Sequence, residues 1–242
     1  MFTLFKKEIR AFLSSLIGYV AISVFLLLVG LFLWILPTDS NILSNGYAGL
    51  DSLFSLAPWV FLFLIPAITM RSFADEKKAG TIEFLLTKPL TDLQIILAKY
   101  FAGVTLVLFS LLPTLIYYYS IYKLGNPIGN IDSGGTYGSY IGLFFLASAF
   151  TAIGIFASSL SDNQIVAFIL AVFLCFFCYI GFEYAGMLAS GKASSLILSL
   201  GINDHYTSMS RGVIDTRDVI YYLSLISVFI LMTKTSLESR KW

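Results

Sequence analysis

Long uncharged runs alternate with short charged segments along this chain, and the lengths of the runs predict six membrane-crossing helices. About 20 apolar residues are needed to span a hydrocarbon core. The spans built on these runs, some of which take in a charge near an end, fall at about 17–37, 52–71, 92–122, 137–160, 163–183 and 217–234. The last reaches spanning length only by taking in Arg217 or Asp218 at one end and Lys234 at the other. The first is too long for a signal-peptide core and no small-residue cleavage motif follows it, so it reads as an anchor. Ahead of it, Phe5, Ile9, Phe12 and Leu13 recur at helical spacing with Lys6, Lys7 and Arg10 off the stripe. That pattern predicts an interfacial amphipathic helix over 2–14. The expected fold is an all-α membrane protein with one transmembrane domain over 1–242.

Between the second and third runs lies a charged, helix-compatible segment, Arg71–Pro89. Asp75–Ala79 favours helix, and Gly80 is suited to a left-handed cap. Thr81 can cap a second short helix that carries Glu83 near its positive end. Ile82, Leu85 and Leu86 would share one face of that helix, and Pro89 would stop it. Thr91 and Gln94 then form a capping box that opens the third span. The stretch reads as a short surface helix seated by its apolar side.

Composition agrees with this pattern. Of 242 residues, 58% are hydrophobic and 12% charged, with mean hydropathy +0.87, against about one-quarter charged in soluble domains. A net charge of +1 gives no reason to expect nucleic acid. Eleven Lys and Arg fall on the side of the termini and of Arg71–Pro89, against four on the other. Both termini are therefore expected in the cytoplasm. Cys175 and Cys178 sit inside an apolar run with no Cys or His pair nearby, so they read as small packing residues and no metal site is indicated.

Few polar motifs survive scrutiny. Gly186–Ala193 nearly matches a phosphate-binding loop, but Ala193 lacks the magnesium-ligating hydroxyl and no strand precedes it. His205, the single histidine, reads as an exposed loop residue. Within Glu183–Asp218 the apolar stretch Ser194–Ile202 is too short to cross, which predicts a re-entrant or surface-lying element between spans five and six. Arg71, Asp92, Lys99, Asp162 and Glu183 all fall at the expected span ends. A chain without internal ionisable groups lacks the usual means of holding a coupling ion. It has no nucleotide site either, so it borrows energy from a partner or moves nothing.

Glu76, Gly80, Thr81, Glu83, Leu85, Leu86 and Pro89, followed by Lys99-Tyr100, resemble the membrane subunit of type-2 ATP-binding-cassette exporters. Gly125–Gly135, Ser161–Phe173, Arg211–Leu225 and the terminal Arg240-Lys241-Trp242 are similar to one branch, the gliding-motility-associated permease of Bacteroidetes. The resemblance implies a permease of the inner membrane that has no cofactor and no catalytic activity of its own, with ATP and Mg bound by a cytoplasmic ATPase partner. Contact with that ATPase would fall on Asp75, Glu76, Lys77, Gly80, Thr81, Glu83, Leu85, Leu86 and Pro89, and on the interface helix through Phe5, Lys6, Lys7, Ile9, Arg10 and Phe12. It further implies a second permease half, the same chain or a related one, and a membrane subunit with a large extracytoplasmic domain. Small residues such as Gly18, Ala21 and Gly30 would serve the pairing of halves. Two other readings stand beside it: an anchor that moves no solute within the same ATPase-driven assembly, and a membrane enzyme or ion-coupled carrier, which the missing intramembrane charges disfavour.

Overall fold

A computed structural model of the chain describes residues 1–44, 46–82 and 90–239. Among these residues there is no strand, and six helices are long and apolar enough to cross a membrane, as the hydropathy pattern predicts. In chain order the helices are α1 (Phe2–Leu13), α2 (Leu16–Ile35), α3 (Asp51–Thr69), α4 (Arg71–Lys78) and α5 (Asp92–Leu124). They continue as α6 (Ser133–Leu160), α7 (Gln164–Leu188), α8 (Lys192–Leu198), α9 (Ile202–Met209) and α10 (Thr216–Glu238). The expected coupling helix, with Glu83, Leu85, Leu86 and Pro89, lies outside the described residues, as does Arg240–Trp242.

The bundle is built around α6, which packs against α3, α5, α7, α9 and α10. Its small residues permit this. A Cβ placed on Gly138 would lie 2.4 Å from the carbonyl oxygen of Gly212, so the loop before α10 rests backbone to backbone on α6. Without a hydrophobic effect between helices in lipid, such close approach supplies the dispersion contacts that hold spans together. Three spans depart locally from α geometry. Pro113 sits in a 3₁₀ turn, Leu112–Thr114, within α5. Wider π turns occur at Leu31–Ile35 in α2 and Phe177–Gly181 in α7.

Several expectations change in three dimensions. Gly18 and Gly30 do not offer free faces for pairing: Gly18 is buried under Phe12 of α1, and Gly30 meets the Tyr117 hydroxyl. His205 is not an exposed loop residue. It lies in α9 with Nδ1 2.7 Å from Asp218 Oδ1 and Nε2 2.9 Å from the Ser199 carbonyl, its ring stacked on Tyr221. Charges do not all sit at span ends, because α7 continues past Glu183 to Leu188 and Lys99 lies inside α5. The stretch Ser194–Ile202 is divided at Gly201: α8 keeps no buried residue, whereas Ile202 begins α9 and is fully buried. Gly186–Ala193 forms the turn from α7 to α8, not a phosphate cradle after a strand. Cys175 and Cys178 are buried free thiols.

Candidate functional site

At the end of the bundle that carries α1 and α4, four charged side chains form one cluster. Glu8 faces inward from α1, one turn after Leu4 and one before Phe12, both buried. Lys99 on α5 is only 2% exposed. Its Nζ lies 3.0 Å from Glu8 Oε1 and 3.1 Å from Glu76 Oε2. The contact to Glu76 Oε2 is an ion pair whose angle falls outside hydrogen-bond geometry. Lys7 Nζ completes the set, 3.1 Å from Glu76 Oε1 and 3.5 Å from Glu8 Oε1. The ammonium of Lys99 also stands 5.1 Å from the centre of the Phe73 ring, an additional cation–π contact. Two cations and two anions thus neutralise one another where α1, α4 and α5 meet. Burial disfavours the Lys7 charge, but Glu8 and Glu76 outweigh it and hold the ammonium above the ordinary lysine value.

The junction between α3 and α4 is secured separately. Met70 alone separates them, itself in right-handed helical geometry with its N–H bonded to Pro66 O at 2.8 Å. Ser158 of α6, fully buried, inserts its hydroxyl there: Oγ donates to the Met70 carbonyl at 2.9 Å and accepts from Phe73 N at 2.9 Å and Ala74 N at 3.2 Å. The turn between α6 and α7 holds the other face of α4. Gln164 accepts from Arg71 Nε at 3.3 Å and donates to Asp75 Oδ1, while Lys77 Nζ donates to the Ser159 carbonyl.

These contacts correct the role expected of Glu76 and Lys77. Neither projects a free charge. Glu76 is turned to Lys99 and Lys7, and Lys77 and Asp75 to the α6–α7 turn. The exposed part of the described segment is the tip, Lys78–Thr81. There the predicted left-handed cap is present: Gly80 has φ +65°, Thr81 N donates to Glu76 O at 2.9 Å and Gly80 N to Lys77 O at 3.1 Å. This six-to-one and five-to-two pair is a Schellman motif. The Thr81 hydroxyl also reaches back to Glu76 O at 3.3 Å, closing the helix behind it. The Thr91–Gln94 capping box opens α5 as predicted.

On α1, Phe5 and Ile9 pack on the core beside buried Phe12, and Lys6 and Arg10 are exposed. Sequence reasoning missed Glu8, Ser158 and Gln164, and it singled out Lys99 without its partners. A signal existed for Glu8, since it is a charge in line with Leu4 and Phe12 on the apolar stripe of α1. Nothing local distinguishes Ser158 from the other hydroxyls of α6.

The family described as ABC-2 family transporter protein has a sequence model that matches residues 2–237. No curated protein matches the chain.

Proposed function

This chain belongs to the ABC-2 transporter family, and on that premise we propose that its Lys78–Thr81 tip and α1 receive an ATPase partner. As a family member it is the permease subunit of an ABC transporter, a membrane transport component that is normally not catalytic. In the proposed arrangement both termini face the cytoplasm of a bacterium, the chain sits in the inner membrane, and ATP and Mg stay with the partner. A second permease half, identical or related, completes the transporter. The finer reading is a gliding-motility-associated complex with a further subunit bearing a large extracytoplasmic domain. It rests on the likeness of Gly125–Gly135, Ser161–Phe173 and Arg211–Leu225 to that branch.

One observation carries the coupling proposal: α3 runs through α4 to an exposed tip, and α4 is braced on both sides. A lever transmits force only if its joints are stiff, and the Lys99 cluster and Ser158 stiffen this one. Co-expression of the chain with its ATPase should give a complex in which the permease stimulates ATP hydrolysis. Among the described residues no atom beyond its chain neighbours lies within 4 Å of a Cβ placed on Gly80, so the cost of substitution that the structure shows is the left-handed backbone. That is about 1–2 kcal/mol. Gly80→Val should therefore keep the partner bound but lose most of the stimulation, whereas Gly80→Asn, which tolerates this backbone, should keep it. Equal stimulation by Gly80→Val and the parent would remove the tip from the mechanism.

Orientation has its own test. In a version lacking Cys175 and Cys178, a cysteine at the exposed Ser44 should react with an impermeant thiol reagent in intact cells. A cysteine at the exposed Ala79 should react only after permeabilisation. Labelling of Ala79 in intact cells would reverse the topology and defeat the ATPase-docking proposal.

A further inference from the structure

Away from the charged cluster, α7 carries a carboxylate that the coupling site does not use. Glu183 lies more than a full turn inside the end of α7 at Leu188, two residues after the π turn Phe177–Gly181. An ionisable side chain within a spanning helix is costly and points to a functional site, and π turns recur at such places. Tyr179, Glu183, Tyr184 and Met187 of α7 line a recess of about 490 Å³ together with Trp59 of α3 and Asn203 of α9. That volume lies in the range of small-molecule sites.

The chemistry of the lining is specific. Glu183 Oε2 accepts from Asn203 Nδ2 at 2.9 Å, a neutral donor that orients the carboxylate without cancelling its charge. Among the described residues no Lys, Arg or His pairs with it. Arg211 borders the adjoining recess of about 280 Å³, which Glu183 and Asp204 also line, so the two recesses together keep an excess of negative charge. The Arg211 Nε is engaged by the Thr207 carbonyl at 3.1 Å. Trp59 packs edge-on against Tyr179 at 6.0 Å and remains 48% exposed, and Tyr184 is 63% exposed. Open indole and phenol faces attract cations. An anion would meet the carboxylate, and a neutral lipid would leave it uncompensated.

We infer that this recess binds an organic cation with apolar substituents, Glu183 supplying the counter-charge and Trp59 and Tyr184 the ring faces. The inference rests on the permease reading and names a cargo class for it. The probes are tetraphenylphosphonium and tetraphenylborate, which share a shape and differ in sign. Their binding to the full chain in nanodiscs of zwitterionic lipid is measured by equilibrium dialysis, with empty discs subtracted. The phosphonium should bind saturably and the borate should not. Glu183→Gln, nearly isosteric, should weaken phosphonium binding by about tenfold or more, as loss of a nearby opposite charge requires. Trp59→Leu should weaken it by about fivefold, in line with one lost cation–π contact. Glu183→Asp, which keeps the charge, should retain most of the affinity. Equal binding of the two ions, or unchanged phosphonium affinity in Glu183→Gln, overturns the inference. Since these measurements need no ATPase, their failure leaves the coupling proposal intact, and failure of ATPase stimulation leaves the cation site intact.

Discussion

Replacing Lys99 with Met should destabilise the protein by about 3 kcal/mol, the low end for breaking a buried pair, because it leaves two partly buried carboxylates against each other with one half-exposed cation between them. Glu8 and Glu76 each lie within about 3 Å of the lost ammonium, and Lys7, whose side chain is 58% exposed, reaches both. The cost comes from uncompensated buried charge, not from lost attraction alone. Removing the charges together should therefore recover much of it: Lys99→Met combined with Glu8→Gln and Glu76→Gln should approach the parent in thermal unfolding in detergent. If the single and triple variants unfolded alike, the cluster would be held by packing and its charges would be incidental. The same geometry changes the meaning of Glu76→Lys. That substitution sets a third ammonium beside Lys7 and Lys99, so its first effect is internal repulsion and only its second is on a partner.

Ser158→Ala should cost about 1–3 kcal/mol, since buried backbone groups lose the hydroxyl that satisfies them and cannot turn to water. Phe73 N and Ala74 N lose an acceptor and the Met70 carbonyl a donor. Function should suffer more than stability. With the pin removed, α4 can bend about Met70, and motion at the tip no longer passes to α3. The expected signature is a partner that still co-purifies while permease-stimulated ATP hydrolysis falls. Thr151→Val is the control, because its buried hydroxyl bonds within α6, to Ala147 O at 2.7 Å. Should Ser158→Ala match that control in both measurements, α4 would be a surface extension and not a lever.

What the sequence by itself determined are the features whose causes lie within a few residues of one another. Six spans follow from uninterrupted apolar length. The α1 stripe follows from helical spacing, the end of α4 from glycine, the residue most at ease at φ +65°, and the start of α5 from Thr91 and Gln94 three apart. No distant residue is needed for any of these. The tertiary structure decided which polar groups meet. Glu8 and Lys99 are 91 residues apart in sequence, and Phe73 and Ser158 are 85 apart. Local chemistry marks each as unusual without naming its partner. It also decided which helix is central. The more hydrophobic α7 lies largely at the periphery, while α6, richer in Gly, Ala and Ser, is the most buried span. The physical reason is that lipid and protein interior are equally apolar to a leucine, so hydropathy reports only that a helix crosses. Close approach of small residues, and the satisfaction of every buried donor and charge, select its neighbours.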